Sequence, residues 1–206
     1  MTAPSRRSKG ERTRAHIDQC VIELVNEMPV ADVKISTICT RAGIAVGAFY
    51  FHFASREEAL ESAAAVGLTQ VYTALLEAPA HEDLMQELVA FLGVFDQFRT
   101  DHPDRVAAIY RIVAAHRPVR ATWLNLRGCV IDRLTARFAR ARAGVEGGFA
   151  SDYVLAQFLL GAVERFTDDV FVGSPDDRLP VEAGDPDVYL RQQALTWHRA
   201  ILGRDP

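Results

Sequence analysis

The stretch K-I-S-T-I-C-T-R-A-G-I-A-V-G-A-F-Y-F-H-F-A-S-R, from Lys34 to Arg56, decides how the rest of the chain is organised. Ile35, Ile38, Cys39 and Ala42 fall on one helical face, and Gly43 supplies the left-handed residue that ends that helix. Ile44 and Ala45 make a short turn before a second, compact helix that begins near Val46. Along it Val46, Phe49, Tyr50 and Phe53 recur at the spacing of one face, which leaves Gly47, Ala48, Phe51 and His52 pointing elsewhere. A short helix that presents small residues and an unburied aromatic ring is badly built for burial. It is well built for close approach to another surface.

Two short helices around a tight turn are also the layout of helix-turn-helix readers of the DNA major groove. The run from Ile38 to Leu60, I-C-T-R-A-G-I-A-V-G-A-F-Y-F-H-F-A-S-R-E-E-A-L, resembles the TetR family of bacterial transcriptional regulators, whose pattern is roughly I-A-x-x-A-G-V-S-x-G-x-F-Y-x-H-F-x-S-K-E-x-L. The likeness is ungapped and covers the first quarter of the chain; beyond it only length and helical texture agree. It implies that Tyr50 and His52 hydrogen-bond DNA phosphates while Gly47, Ala48 and Phe51 approach base edges. Arg56, where the family usually has Lys, would reach phosphate bidentately from the start of the next helix. Lys34, Ser36 and Thr37 complete the candidate DNA-binding set. Ala45 and Val46 depart from the family, which commonly places Ser and a polar or basic residue there. The change removes a capping oxygen and a DNA contact, and leaves Val46 able to meet a thymine methyl. For Tyr50 the spacing with Val46 and Phe53 keeps a packed core ring open as the alternative.

Charge supports a partner at one end only. Residues 1–56 carry a balance of +3 within a net charge of −4, so residues 57–206 hold −7. Arg6, Arg7, Lys9, Arg12 and Arg14 face only Glu11, which suits a cationic head that touches phosphates on an acidic body. Cys20, Cys39 and Cys129 are odd in number, widely spaced and set among apolar residues, so they read as buried thiols of a reducing compartment. No signal peptide is visible. The longest apolar run, Val154 to Val163, is too short to span a bilayer, and the expectation is a cytoplasmic protein without membrane contact. Hydrolase, zincin, P-loop and dinucleotide motifs are all missing and the six histidines are dispersed, so no enzyme, catalytic residue, metal or cofactor is expected.

The fold expected is all-α, with about nine helices: residues 1–10 a mobile basic arm, 11–54 a three-helix DNA-binding domain, and 55–206 a larger ligand-binding and dimerisation domain. Asp32 is a plausible N-cap for the helix at Ile35. Ser55 followed by Glu58 reads as a capping box that launches a long helix to about Leu76, the mechanical link between the two parts. Further helices are expected over about 82–100, 104–115, 119–143, 151–172 and 187–203. The last two are apolar on more than one side. Leu159, Val163, Phe166, Val170, Leu190, Ala194, Trp197 and Ile201 are therefore candidates for a two-fold interface in a homodimer. By family likeness the middle helices enclose an unidentified small-molecule effector. Phe91, Phe95, Trp123 and Phe158 are its apolar candidates, and Tyr110, Asn125, Gln157 and Glu164 its polar ones. The reading is a DNA-binding transcriptional regulator, a ligand-responsive repressor that binds a near-palindromic double-stranded operator as a dimer. The alternative is a dimeric helical module for a small molecule or protein, with weak or lost DNA affinity.

Overall fold

A computed structural model describes residues 8–144, 151–171, 186–204 and 206, with backbone alone for 166–171, 186, 187 and 189. Among the described residues there are nine α-helices, one short 3-10 turn and no strand. α1 (Lys9–Glu27) starts two residues ahead of the Glu11 expected from the pattern. Ser8 and Glu11 form a full capping box there: the Ser8 hydroxyl accepts from Glu11 N and the Glu11 carboxylate from Ser8 N. Ile17, Cys20, Val21, Leu24 and Val25 make the buried stripe of α1, and the helix stops before Pro29.

Asp32 does not cap the next helix. It ends the 3-10 turn Val30–Asp32, and α2 (Ile35–Ala42) begins from Lys34 with no side-chain cap at all. Gly43, at φ 65°, closes α2 as expected, with Ile44 N donating to Cys39 O. α3 (Val46–His52) follows from Ala45, whose carbonyl accepts from Ala48 N and Phe49 N.

α4 (Arg56–Glu77) is the axis of the molecule. Ser55 caps it by accepting from Glu58 N at 3.1 Å, but Glu58 reaches one residue further back than a capping box requires, to Ala54 N at 2.7 Å. At the other end Arg133 donates to the carbonyls of Leu75, Leu76 and Ala78, which no helical N–H can reach. By length and composition alone α4 could cross a membrane; here it is a core helix, with α1, α5 (Leu84–Asp101), α6 (Pro103–Ala115) and α7 (Arg117–Ala141) packed against it. α6 crosses it most closely at Gly67, where a Cβ would lie 2.6 Å from Ile109 Cδ1. α8 (Asp152–Phe171) packs on α7, and α9 (Pro186–Leu202) on α5.

That last contact corrects the expected dimer face. Ala194, Trp197 and Ile201 are buried within the subunit, where Trp197 sits 6.0 Å from the Phe91 ring and 6.5 Å from Phe138. Leu159 and Val163 are buried too, and Leu190 is half-buried. The side chains of Phe166 and Val170 lie outside the described residues. The apolar groups that α8 leaves in solvent are Tyr153, Val154 and Phe158. Cys20 and Cys39 are buried as expected, whereas Cys129, on α7, is exposed.

Candidate functional site

α3 exposes one side and buries the other. Phe49 and Phe53 are fully buried, rings 5.6 Å apart, and anchor the helix to the small core under α1 and α2. Val46 and Tyr50 do not share that burial: they are 48% and 55% exposed, which removes the packed-core alternative for Tyr50. In a helix of seven residues the two sides of a turn are too close for periodicity to separate them. Gly47 and Ala48 are exposed, and Phe51, 83% exposed, stands at the centre of the outer side. The half-buried His52 ring meets the Phe51 ring edge-on at 5.3 Å. A Cβ built at Gly47 would meet nothing within 4 Å, so no internal contact requires a glycine there.

The cations around α3 divide into two sets. Arg14 donates to His52 O at 2.7 Å and lies 4.2 Å over the Phe53 ring, holding the end of α3 to α1. Arg41 is paired with Glu23 and Glu27, and its hydrogen bonds hold the Glu27 carboxyl below the usual range. Arg56 donates to the carbonyls of Val33 and Val30 and to Glu57 at 3.0 Å. The expected phosphate role of Arg56 is thus corrected: its guanidinium staples the start of α4 to the turn before α2. Within residues 8–56 the exposed cations that carry no ion pair to a described residue are Lys9, Arg12 and Lys34. Ser36 is exposed and Thr37 half-buried on α2, beside Lys34. The element packed against α3 thus carries an exposed cation and hydroxyls, while the exposed side of α3 itself is largely apolar.

A second site lies deeper. A cavity with about 560 Å³ of empty space, its open mouth included, sits between α4, α5, α6 and α7. Of the expected pocket residues it takes Phe95, Tyr110 and Trp123, and adds Tyr72, Phe98 and Ile109 among others. The aromatic series on α5 splits, because Phe91 turns into the core against Trp197 while Phe95 and Phe98 face the cavity. Asn125 and Phe158 are exposed, Phe158 by 67%, and so drop out.

Glu164 and Gln157 belong to a polar network behind the cavity wall. Tyr72 Oη donates to Glu164 Oε1 at 2.8 Å and accepts from Trp123 Nε1 at 2.7 Å. Arg127 Nε donates to Glu164 Oε2 at 2.7 Å, and its Nη1 to Gln157 Oε1 at 2.8 Å. Tyr110 Oη donates to the Glu164 carbonyl at 3.2 Å. Burial pushes the Glu164 carboxyl up, partly offset by Arg127 and Tyr72, and burial beside Glu164 pushes the Tyr72 hydroxyl well up. Two of the aromatics that line the cavity are thereby held by one buried ion pair. Tyr72 was missed by the sequence reading; its signal was a lone hydroxyl on the apolar middle of α4. No group of three His, Cys, Asp or Glu among the described residues is placed to hold a metal.

Residues 22–63, which contain α2 and α3, match the family model described as bacterial regulatory proteins, tetR family. No curated protein is similar enough in sequence to register as a match. Solved structures with this fold include a protein titled a transcriptional regulator from Pseudomonas aeruginosa PAO1, at TM-score 0.76 and 15% identity over 96% of this chain and 93% of that one. A bacterial regulatory protein in the tetR family from Rhodococcus RHA1 superposes at TM-score 0.74, 18% identical, covering 95% of this chain and 98% of its own. Salmonella enterica GusR does so at 0.67 and 21%, covering 96% and 98%. At such identities the structures speak for the fold, and the matched segment speaks for the reading head. Together they show that residues 22–63 are similar to the tetR family of bacterial regulatory proteins and that the chain has the fold of solved transcriptional regulators, members of that family among them.

Proposed function

We propose that the protein is a ligand-responsive repressor that binds a near-palindromic operator as a homodimer. Residues 11–54 would form the reading head and 55–206 the body that binds effector and partner. The observation that carries the reading is the outer side of α3, exposed around Gly47 although nothing inside the protein needs a glycine there. Glycine in a helix costs about 1 kcal/mol relative to alanine. The residue makes sense where another molecule's surface must come close. Lys34, Ser36, Tyr50 and His52 would meet phosphates on either side of the groove.

Dimerisation would use the outward face of α8, where Val154 and Phe158 lie one turn apart, in place of the residues expected from the sequence. Two copies of α3 would then enter successive major grooves about 34–36 Å apart. An effector in the cavity would touch Leu68, Val71 and Tyr72 on α4, the helix whose other end follows α3. It acts only through different affinities for the two positions of that helix, a coupling of about 1–3 kcal/mol.

The test is a mobility shift of the DNA upstream of the protein's own reading frame at stated salt, against an unrelated duplex. A retarded band at nanomolar protein that resists unrelated competitor supports the proposal. Equal, micromolar affinity for both duplexes would favour the alternative, a helical binding module without useful DNA affinity. That alternative draws its own support from Ala45 and Val46, which offer DNA no hydrogen bond.

A further inference from the structure

The chemistry missing from the outer side of α3 says how the operator is read. With roughly 100° of rotation per residue, Phe51 stands opposite the buried Phe49–Phe53 side, flanked by Gly47 and Ala48, while Val46 falls nearer the buried side and is half exposed because it opens the helix. None of these side chains can donate or accept a hydrogen bond. α3 contains no Arg, Lys, Asn or Gln, the side chains that pair bidentately with guanine or adenine edges. Ser36 and Thr37 on α2 bring hydroxyls, which bond to either kind of base and so discriminate little. The two polar groups of α3, on Tyr50 and His52, lie at its margins.

An apolar tip pushed into the major groove has one apolar group to meet, the C5 methyl of thymine. Protein interiors and lipid present apolar surface as well, but Lys34, exposed at the start of the α2 helix that packs on α3, brings a charge that matches phosphate. Resting on the DNA-binding reading above, we propose that the protein selects its operator chiefly by thymine methyl groups packed against Phe51 and against Val46 or Ala48. Every half-site then carries thymines at fixed positions under α3, and guanine-edge contacts contribute little.

The experiment begins with selection of the tightest duplexes from a random-sequence pool by the full-length protein. In the winning duplex each thymine is then replaced singly by uracil, which keeps every hydrogen-bonding group and lacks only the methyl. Affinity is read by fluorescence anisotropy at fixed salt. At the contacted thymines each replacement should weaken binding about fourfold, the value of one buried methyl-sized group, and elsewhere it should change nothing. Phe51→Ala, which leaves the fold intact because the ring is exposed, should weaken the thymine duplex and abolish the uracil penalty at one position per half-site. A duplex with all its thymines replaced by uracil that binds as well as the original overturns the inference while leaving DNA binding intact. Failure to enrich any duplex overturns the DNA-binding reading beneath it.

Discussion

Two helices of this protein hold bulky apolar side chains out of the core, and they do so in different company. On α3, Phe51 and Val46 stand with Tyr50, His52 and the exposed Gly47, and the α2 helix packed beside it carries the exposed Lys34 and Ser36. On α8, Val154 and Phe158 stand one turn apart beside Tyr153. Exposure by itself says only that a partner is missing. The company says which: a cation and hydroxyls beside a bare tip suit a polyanion with methyl groups in its groove, whereas an apolar ridge suits a second copy of itself.

The sharpest break between the two surfaces is Gly47→Glu. A Cβ there meets nothing within 4 Å, the position is exposed, and an acid in the first turn of a helix is favourable, so folding and dimerisation should stay as they are. Operator affinity should fall by about a thousandfold, since like charge set against phosphate costs several kcal/mol; anisotropy titration beside size-exclusion chromatography would show it. Next in size is Arg127→Met on α7, which acts on the inner side of α8 through Glu164. It leaves the Glu164 carboxylate buried and unpaired, at a cost of about 3 kcal/mol.

The pH dependence of that loss has a definite sign. A carboxyl whose folded pKa is raised costs nothing while protonated, and it takes stability away as pH rises through the folded value. Arg127→Met removes the main influence that opposes the rise. Urea denaturation should therefore show a smaller deficit at pH 5 than at pH 8.

Phe158→Asp comes third. Set across a two-fold axis it should weaken the dimer by roughly thirtyfold through buried like charges, without touching α3. Sedimentation of an unchanged dimer would move the interface elsewhere. The smallest effect is expected for Lys34→Ala: about threefold weaker binding to every duplex, and a salt slope reduced by about 1.

Helix positions were legible in the sequence because caps and breakers are local. Ser55, Gly43, Pro103 and Pro118 mark boundaries without reference to anything distant. The roles of the arginines were not. Arg56 finds its acceptors on Val30 and Val33, 26 and 23 residues earlier, and Arg133 caps a helix 55 to 58 residues away. Backbone carbonyls leave no trace in a list of side chains. Helix α9 shows a different limit. Its apolar stripe is plain in the sequence, but only packing decides that Trp197 meets Phe91 of its own subunit and not a neighbour. For the cavity, composition named the aromatic residues and missed Tyr72, because one hydroxyl on an apolar helix acquires meaning only when Glu164 and Trp123 close around it.

Hydroxyl-radical footprinting of the upstream DNA tests the central claim most directly, because it reports both reading heads at once. The account predicts two protected patches centred one helical turn apart, about 34–36 Å along the duplex, both lost in Gly47→Glu. Uniform cleavage at protein concentrations that saturate nonspecific sites, or protection that Gly47→Glu leaves in place, would contradict it.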